Sequence, residues 1–473
     1  MARPLWTIGE IVQATGAKTY ATLDTPVTGV SIDSRSIAPH ECFIAIRGAN
    51  HDGHRFVDTA LAEGGACAIV DHNFPAQGSD AKLIRVADTL AALRDLGSAS
   101  RARVERAVVI GVTGSAGKTG TKEGLKLALA PSGSVHASVK SYNNHWGVPL
   151  SLANMRRSVA FGVFEAGMNH AGEILALTKL IRPHIAIITT VEPVHLGFFR
   201  SVAEIADAKA EILAGLEPGG AAILNRDNAF YDRLRRHALE HEARFVAFGE
   251  TNGADARLLA VDLHADGSDV KADILGEIIT YRLGAPGRHF VLNSLAVLAA
   301  VKLAGANLGA AARALSRWQA QTGRGERVVL EGKGGRLGLI DETYNANPAS
   351  MRAALATLAL TPRTEFPRRV AVLGDMLELG GQGPRLHLEL REDIDAAGVD
   401  VVFACGELMA GLYQALPETC QGGYAKTAEK LAPLLTEGVR PGDMVMIKGS
   451  FGSRMAPLVE ALQRHFETAS VQV

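Results

Sequence analysis

The sequence predicts an α/β protein of three consecutive domains built on parallel sheets. Three observations lead there. Short apolar runs, each closed by a small or charged turn, alternate with helical stretches along the 473 residues. One such run, Ala107 to Ile110, enters the stretch Gly111-Val112-Thr113-Gly114-Ser115-Ala116-Gly117-Lys118-Thr119, and a helix-like run from Thr121 to Leu129 follows. Lastly, Gly323, Gly325, Gly332, Gly334, Gly335 and Gly338 crowd into one short segment and punctuate the chain. At ~150 residues per domain, the length also suits about three domains. The expected division is a small N-terminal α/β domain over 1–105, a central mononucleotide-binding parallel-sheet domain over 106–322 and a Rossmann-like domain over 323–473.

In the first domain, Cys42–Ile46, Cys67–Val70 and Leu83–Val86 read as strands, and Arg101–Arg106 as a charged helix that closes the unit. The second domain begins at strand, glycine-rich loop and helix. Such a loop turns backbone N–H groups toward a phosphate, and the helix N-terminus adds its dipole. Gly114, Ser115, Ala116 and Gly117 form the cradle, Lys118 is expected to reach the β- and γ-phosphates, and the Thr119 hydroxyl to ligate Mg²⁺. The general phosphate-loop pattern places its first glycine where Val112 stands, so the glycines here are offset. A nucleoside triphosphate is the expected ligand.

Further along, Phe161–Glu165 is an apolar run ending in a carboxylate, a common way to hold Mg²⁺ beside a phosphate loop. His184–Thr190 is another apolar run, followed by Glu192 and His195. Ser201-Val202-Ala203-Glu204 has the form of a capping box opening a helix that carries Lys209. Taken alone, each has a plainer reading: Glu165 as a strand-edge acid, His195 as a packed loop histidine, Lys209 as a solvated helix lysine. An Ala- and Leu-rich helix from Asn293 to Gly305 closes the domain. The glycine-dense segment after it suits a hinge or a tight hairpin. In the third domain, Val370–Leu373, Val401–Ala404 and Met444–Ile447 are strands expected to present ligand groups at their carboxyl ends, Lys448 among them.

Composition excludes several classes. Forty-nine basic and 50 acidic residues leave a net charge of −1, no footprint for nucleic acid or an anionic membrane. The four cysteines form no C-x-x-C pair, which suits reduced thiols in a cytoplasmic protein. No run approaches the ~20 apolar residues of a membrane span, and the N-terminus lacks the apolar core of a signal peptide. A cytoplasmic monomer is expected, with no membrane insertion.

A set of ordered motifs adds an identity. Asn143-Asn144-x-x-Gly147-Val148-Pro149, Glu165-Ala166-Gly167-Met168-Asn169-His170 and His195-Leu196-Gly197 follow the offset phosphate loop. Asp341-Glu342-Thr343-Tyr344-Asn345-Ala346-Asn347-Pro348 and Leu373-Gly374-Asp375-Met376-Leu377-Glu378-Leu379-Gly380 come later. With these motifs the chain resembles the Mur ligases, ATP-dependent amide-forming enzymes of peptidoglycan precursor synthesis. The last two motifs are similar to the member that joins D-alanyl-D-alanine to UDP-N-acetylmuramoyl-tripeptide through an acyl-phosphate intermediate, releasing ADP.

The resemblance implies the following roles. Thr119 and Glu165 take a first Mg²⁺; His195 and Lys209 serve a second, with Lys209 carbamylated so that it can act as a carboxylate. Asn144 helps bind metal-linked water or the γ-phosphate. The family's adenine segment reads Gly-x-His-Asn-x-x-Asn, and here Phe290 replaces the first asparagine while Asn293 remains. In the first domain, Ser34, Arg35 and the Asn50–His54 loop with His51 face the UDP-sugar; the bare residues read equally as a surface turn. Arg324, Asp341, Tyr344, Asn345, Asn347 and Lys448 approach ATP or the dipeptide when the third domain closes. Since they lie beyond the glycines from Lys118, an open arrangement is expected before ligands bind. Rival readings are a folate polyglutamate ligase, a regulatory GTPase and a nucleotide-binding scaffold. The Tyr-Asn-Ala-Asn-Pro run, the missing Asn-Lys-x-Asp guanine segment and the intact catalytic positions argue against them in turn.

Overall fold

The computed structural model describes residues 4–48, 51–75, 80–139, 141–332 and 334–471. Met1–Arg3 and Asn50 of the proposed UDP-sugar loop lie outside the described residues.

The first sheet has five strands. Val30–Ser31, Cys42–Ile44, Cys67–Asp71 and Leu83–Val86 run parallel, and Lys18–Thr19 pairs antiparallel at the edge. The apolar run Cys42–Ile44 is buried on both faces, as its composition requires. Cys42 and Ile44 pack toward helices Ile8–Thr15 and Thr89–Ala102, while Phe43 points the other way onto Val57 and Ala60. The expected charged helix over Arg101–Arg106 is not formed: the helix stops at Ala102. Its arginines are tied down instead. Arg101 is buried and donates to the carbonyls of Ile181 and Arg182, and Arg103 stacks on the Trp6 ring at 3.7 Å. Those contacts favour burial of the guanidinium stems over continuation of a solvated helix.

The central sheet has nine strands. Val135–Ala137, Phe161–Glu165, Val108–Thr113, Ile185–Ile188, Ala221–Asn225 and Arg244–Gly249 run parallel in that spatial order. A meander of Ala256–His264, Gly267–Ile274 and Glu277–Leu283 extends one edge, antiparallel within itself. Alternation in the strands sends successive side chains to opposite faces. Ile110 and Val112 join one core with helices Lys118–Leu129 and Arg288–Leu303; Val109 and Phe164 join another with helices Gly147–Ala153 and Glu173–Ile181. The phosphate-loop strand sits between Phe161–Glu165 and Ile185–Ile188, so Thr113, Glu165 and Ile188 end side by side. Ser201 caps the helix Val202–Ala210 by accepting from Glu204 N at 3.3 Å. The reciprocal half of the box is diverted, since the Glu204 carboxylate binds the N–H and guanidinium of Arg200.

The third sheet has six strands in the order Glu326–Gly332, Gly335–Glu342, Asp443–Lys448, Arg368–Gly374, Val401–Cys405 and Gln421–Ala425. All pairs are parallel except the first. Part of the glycine-dense segment forms a hairpin, with Gly332 paired to Gly335 at its tip. Gly323 and Gly325 lie before it, at φ +74° and +102°, a conformation that only glycine holds without strain.

Among the described residues, no helix is long and apolar enough to cross a membrane.

Candidate active site

The loop after Val108–Thr113 is shaped by two glycines. Gly114 has φ +149° and Gly117 φ +81°. A Cβ on Gly114 would stand 1.9 Å from Thr189 Oγ1, and one on Gly117 would stand 2.8 Å from Asn293 Nδ2. No side chain caps the helix that begins at Lys118, so its first N–H groups stay available to an anion. Lys118 folds back to donate to Gly114 O at 2.6 Å. Burial pushes its pKa below the ordinary lysine value; Glu165 works against the shift and Arg324 adds to it. These features fit a nucleotide polyphosphate.

Thr119 is buried and donates to Glu165 Oε2 at 2.9 Å. Asn143 Nδ2 holds the other carboxylate oxygen at 2.7 Å, and Ser141 Oγ lies 3.2 Å from the Thr119 hydroxyl. A hydroxyl and a carboxylate are hard oxygen donors that suit Mg²⁺. Among the described residues, no group of three or more His, Cys, Asp or Glu is placed to hold a metal. Such an oxygen pair is nonetheless the usual protein share of a Mg²⁺ site, where phosphate oxygens and water complete the shell. Sequence reading named Asn144 rather than Asn143. Asn144 accepts from Gly147 N at 2.9 Å and so shapes the turn into the next helix, although it lines the same cavity.

Lys209 is not a solvated lysine. It is 2% exposed, and no hydrogen bond or ion pair holds it among the described residues. Burial drives its pKa well below 10.5, and nearby Lys118 adds to the depression. His195 has φ +55° and places Nδ1 2.5 Å from Glu378 Oε2. Burial lowers its pKa, Glu378 opposes this, and Lys118 and Lys209 contribute to the lowering. Lys118, Lys209 and His195 therefore share one electrostatic neighbourhood.

A cavity of about 690 Å³ joins Lys118 and His195 to the third region, while Lys209, named from the sequence as a metal-site residue, does not line it. Ser115–Thr119, Asn144, Glu165, His195 and Asn293 line it from the central region; Arg324, Tyr344, Asn345, Asn347 and Lys448 line it from beyond the hairpin. The expected separation of Arg324 from the phosphate loop is not the arrangement found. Arg324 Nη2 donates to Ser141 Oγ at 3.1 Å, and its guanidinium stacks on the Tyr344 ring at 3.9 Å. Lys448 is buried between Glu342 Oε2 (2.9 Å) and Asn345 O (3.0 Å). Asn347 caps the helix Pro348–Ala359 through Ser350 N at 2.9 Å.

Some residues named from the sequence lie elsewhere. Asp341 does not line the cavity; its oxygens accept from Gly323 N, Thr343 N and the Thr343 hydroxyl. It braces the turn that presents Arg324. Ser34, Arg35 and His51 also stand apart from the cavity. Arg35 is exposed and paired with Asp33 at 2.7 Å. Phe290, by contrast, does line the cavity; it is 7% exposed and packed between His289 and Trp318, with ring centroids at 4.5 and 5.6 Å. Ser141, Asn143, Glu342 and Glu378 were missed as site residues. Asn143, Glu342 and Glu378 sit inside motifs that the sequence displayed, but their partners are 22 to 183 residues away.

Comparison with known proteins places the chain in a family. Residues 112–301 match the family described as "Mur ligase middle domain", residues 323–451 "Mur ligase, glutamate ligase domain" and residues 26–109 "Mur ligase family, catalytic domain". The chain is similar to the UDP-N-acetylmuramoyl-tripeptide–D-alanyl-D-alanine ligase of Bacillus subtilis, at 33% identity over 97% of this chain and 98% of that one. It is similar to the Escherichia coli protein of the same name at 32% identity, covering 93% and 95%. Among solved structures, MurF from Acinetobacter baumannii superposes with a TM-score of 0.84 at 29% identity, over 97% of this chain and 99% of that one. MurF ligase from Thermotoga maritima, solved with ADP, superposes at 0.74 with 25% identity, over 93% and 98%.

Proposed function

The chain belongs to the Mur ligase family, and from that premise we propose how its cavity carries out the reaction. The chain is an ATP-dependent, ADP-forming ligase of peptidoglycan precursor synthesis, joining D-alanyl-D-alanine to UDP-N-acetylmuramoyl-tripeptide. A carboxylate is a poor acyl donor, because its oxygen leaves badly. In our reading it is phosphorylated first, and the dipeptide amine then displaces phosphate to form the amide. When bound, ATP supplies the phosphoryl group and Mg²⁺ neutralises the charge that builds on it.

The residues divide this work. The N–H groups after Gly114 and Gly117 hold the phosphates, and Lys118 stabilises charge on the transferring group. Thr119 and Glu165 hold the first Mg²⁺, with Asn143 orienting the carboxylate. His195 and Lys209 serve the second, Lys209 as its carbamate. A buried lysine whose pKa is depressed carries the neutral amine that carbamylation needs. Asn144 orients water or the γ-phosphate, and Asn293 reads the adenine edge. Arg324 closes over the phosphates, while Tyr344, Asn345, Asn347 and Lys448 receive the dipeptide. Ser34, Arg35 and His51 of the 1–105 domain take the UDP-sugar, next to the 106–322 ATP domain and the 323–473 acceptor domain. The protein works as a monomer in the cytoplasm.

One observation carries this reading. Lys118, Thr119 and Glu165 line the same cavity as Tyr344, Asn345 and Lys448, which supports a phosphoryl-transfer site and an acceptor site that open on each other. Filling of that cavity by the substrates excludes water and so protects an acyl phosphate. Phosphate release from ATP is the test. It is expected to require the UDP-sugar tripeptide and to yield amide product only with D-alanyl-D-alanine. ATP hydrolysis indifferent to both, with no amide formed, would overturn the reading.

A further inference from the structure

We propose that Glu378 is a positioning residue for His195: a carboxylate from the third region selects which imidazole nitrogen faces the cavity. The histidine is then correctly oriented only when the third region is docked. The proposal rests on the ligase reading.

Two contacts build the arrangement. Glu378 Oε2 lies 2.5 Å from His195 Nδ1, and Gly197 N donates to Glu378 O at 3.0 Å. Side chain and backbone are thus both engaged, 183 residues apart in sequence. Leu196, between the two donors, packs against the central core and the core of the third region. Both residues are also held in the left-handed region, His195 at φ +55° and Glu378 at φ +64°. Neither is glycine, so each conformation is disfavoured and persists because its surroundings enforce it. Such paired strain marks a contact that is specified, unlike an ordinary surface ion pair.

The chemistry follows from which group can donate. A carboxylate accepts, so the shared proton sits on Nδ1, and in the neutral imidazole this leaves the lone pair on Nε2. His195 lines the cavity and Glu378 does not, which leaves Nε2 as the nitrogen offered to the site. An outer carboxylate that fixes a histidine tautomer is a general device, and its loss typically costs 10- to 100-fold in affinity or activity.

The full-length protein labelled with ¹⁵N-histidine tests this without substrate or metal. Comparison with His195→Asn assigns the His195 signals. Wild type is expected to show a protonated Nδ1 and a lone pair on Nε2. Glu378→Gln keeps an acceptor oxygen and is expected to keep this tautomer; Glu378→Ala is expected to show mixed tautomers. In turnover, Glu378→Ala is expected to lose about 10- to 100-fold in kcat with KM for ATP unchanged, and Glu378→Gln to recover most of it. A fixed Nδ1–H tautomer in Glu378→Ala would overturn the proposal, and so would equal kcat losses in both variants. If Glu378→Ala does not fold, Glu378→Gln decides alone, with mixed tautomers counting against. Absence of ligase turnover in wild type would sink the ligase reading and leave the tautomer result standing.

Discussion

Arg324 reaches from the third region to Ser141 of the central region, Nη2 to Oγ at 3.1 Å. Ser141 in turn lies 3.2 Å from the Thr119 hydroxyl. A residue named for its role on ATP is therefore one step from an oxygen named for Mg²⁺. Tyr344 holds the guanidinium flat from the other side, at 3.9 Å.

That geometry separates charge from shape. Arg324→Lys keeps the charge but loses the planar fork and the stack, so kcat is expected to fall at least ~10-fold. Tyr344→Phe keeps the aromatic face and is expected to remain near wild type, whereas Tyr344→Ala follows Arg324→Lys. Steady-state kinetics on the three variants checks this. A fully active Arg324→Lys would mean that a point charge suffices.

Lys118→Ala is expected to lower kcat by at least ~100-fold, as for loss of a strong electrostatic donor in a water-poor site. The melting temperature is expected to change little, since the ammonium's direct hydrogen bond is to one loop carbonyl, Gly114 O. Near-normal turnover by the purified variant would remove Lys118 from the mechanism.

Lys209 is expected to trade stability against activity. Burial holds its midpoint well below 10.5 in the folded chain. The unfolded chain keeps that proton up to about 10.4. Between the two midpoints the unfolded state binds more protons, so stability rises with pH across that window. Lys209→Met removes this dependence. It is expected to gain roughly 1–3 kcal/mol at neutral pH in carbon-dioxide-free buffer, the cost of an unpartnered buried polar group. The same variant is expected to be inactive, and Lys209→Ala to be partly rescued by short-chain carboxylic acids. Thermal melts across pH and a rescue assay check the pair. An active Lys209→Ala would return the residue to a packing role.

Phe290 is expected to matter for stability and not for base choice. It is wedged between His289 and Trp318, and Trp318 in turn covers Gly124 on the phosphate-loop helix, where a Cβ would stand 2.4 Å from the indole. Phe290→Asn, the residue usual in the family, is expected to cost ~3 kcal/mol through a cavity and a buried amide. The preference for ATP over GTP is expected to stay with Asn293. Melting temperature and the kcat/KM ratio for the two nucleotides decide, and equal use of both nucleotides by wild type would discount Asn293.

Gly323 is expected to tolerate no replacement. Its φ of +74° excludes proline, and its N–H is needed by Asp341 Oδ2 at 3.0 Å. Gly323→Pro therefore breaks both the conformation and the bond, and Gly323→Ala is strained by ~1 kcal/mol. Both are expected to misplace Arg324 and to depress kcat more than ATP binding. Nucleotide titration beside turnover measures the split; equal losses would point to general unfolding.

Sequence alone determined what is local or periodic. The phosphate loop was legible because Gly114, Gly117, Lys118 and Thr119 act within one strand–turn–helix unit, where conformation depends on adjacent residues. The strand runs were legible because burial on both faces of a parallel sheet demands unbroken apolar stretches such as Cys42–Ile44 and Ile185–Ile188. Other features depended on groups far away in the chain. Lys209 and a solvated helix lysine have the same local sequence; only packing shows that water is excluded from it. Asp341 was read as a ligand group, but the fold uses it on Gly323 and Thr343, while Asn347 lines the cavity and also caps a helix. Phe290 became a packing residue because Trp318 arrives beside it. The Glu378–His195 and Arg324–Ser141 contacts cross 183 residues each. Contacts of that span are set by how the sheets dock, and no short-range pattern of residues encodes them.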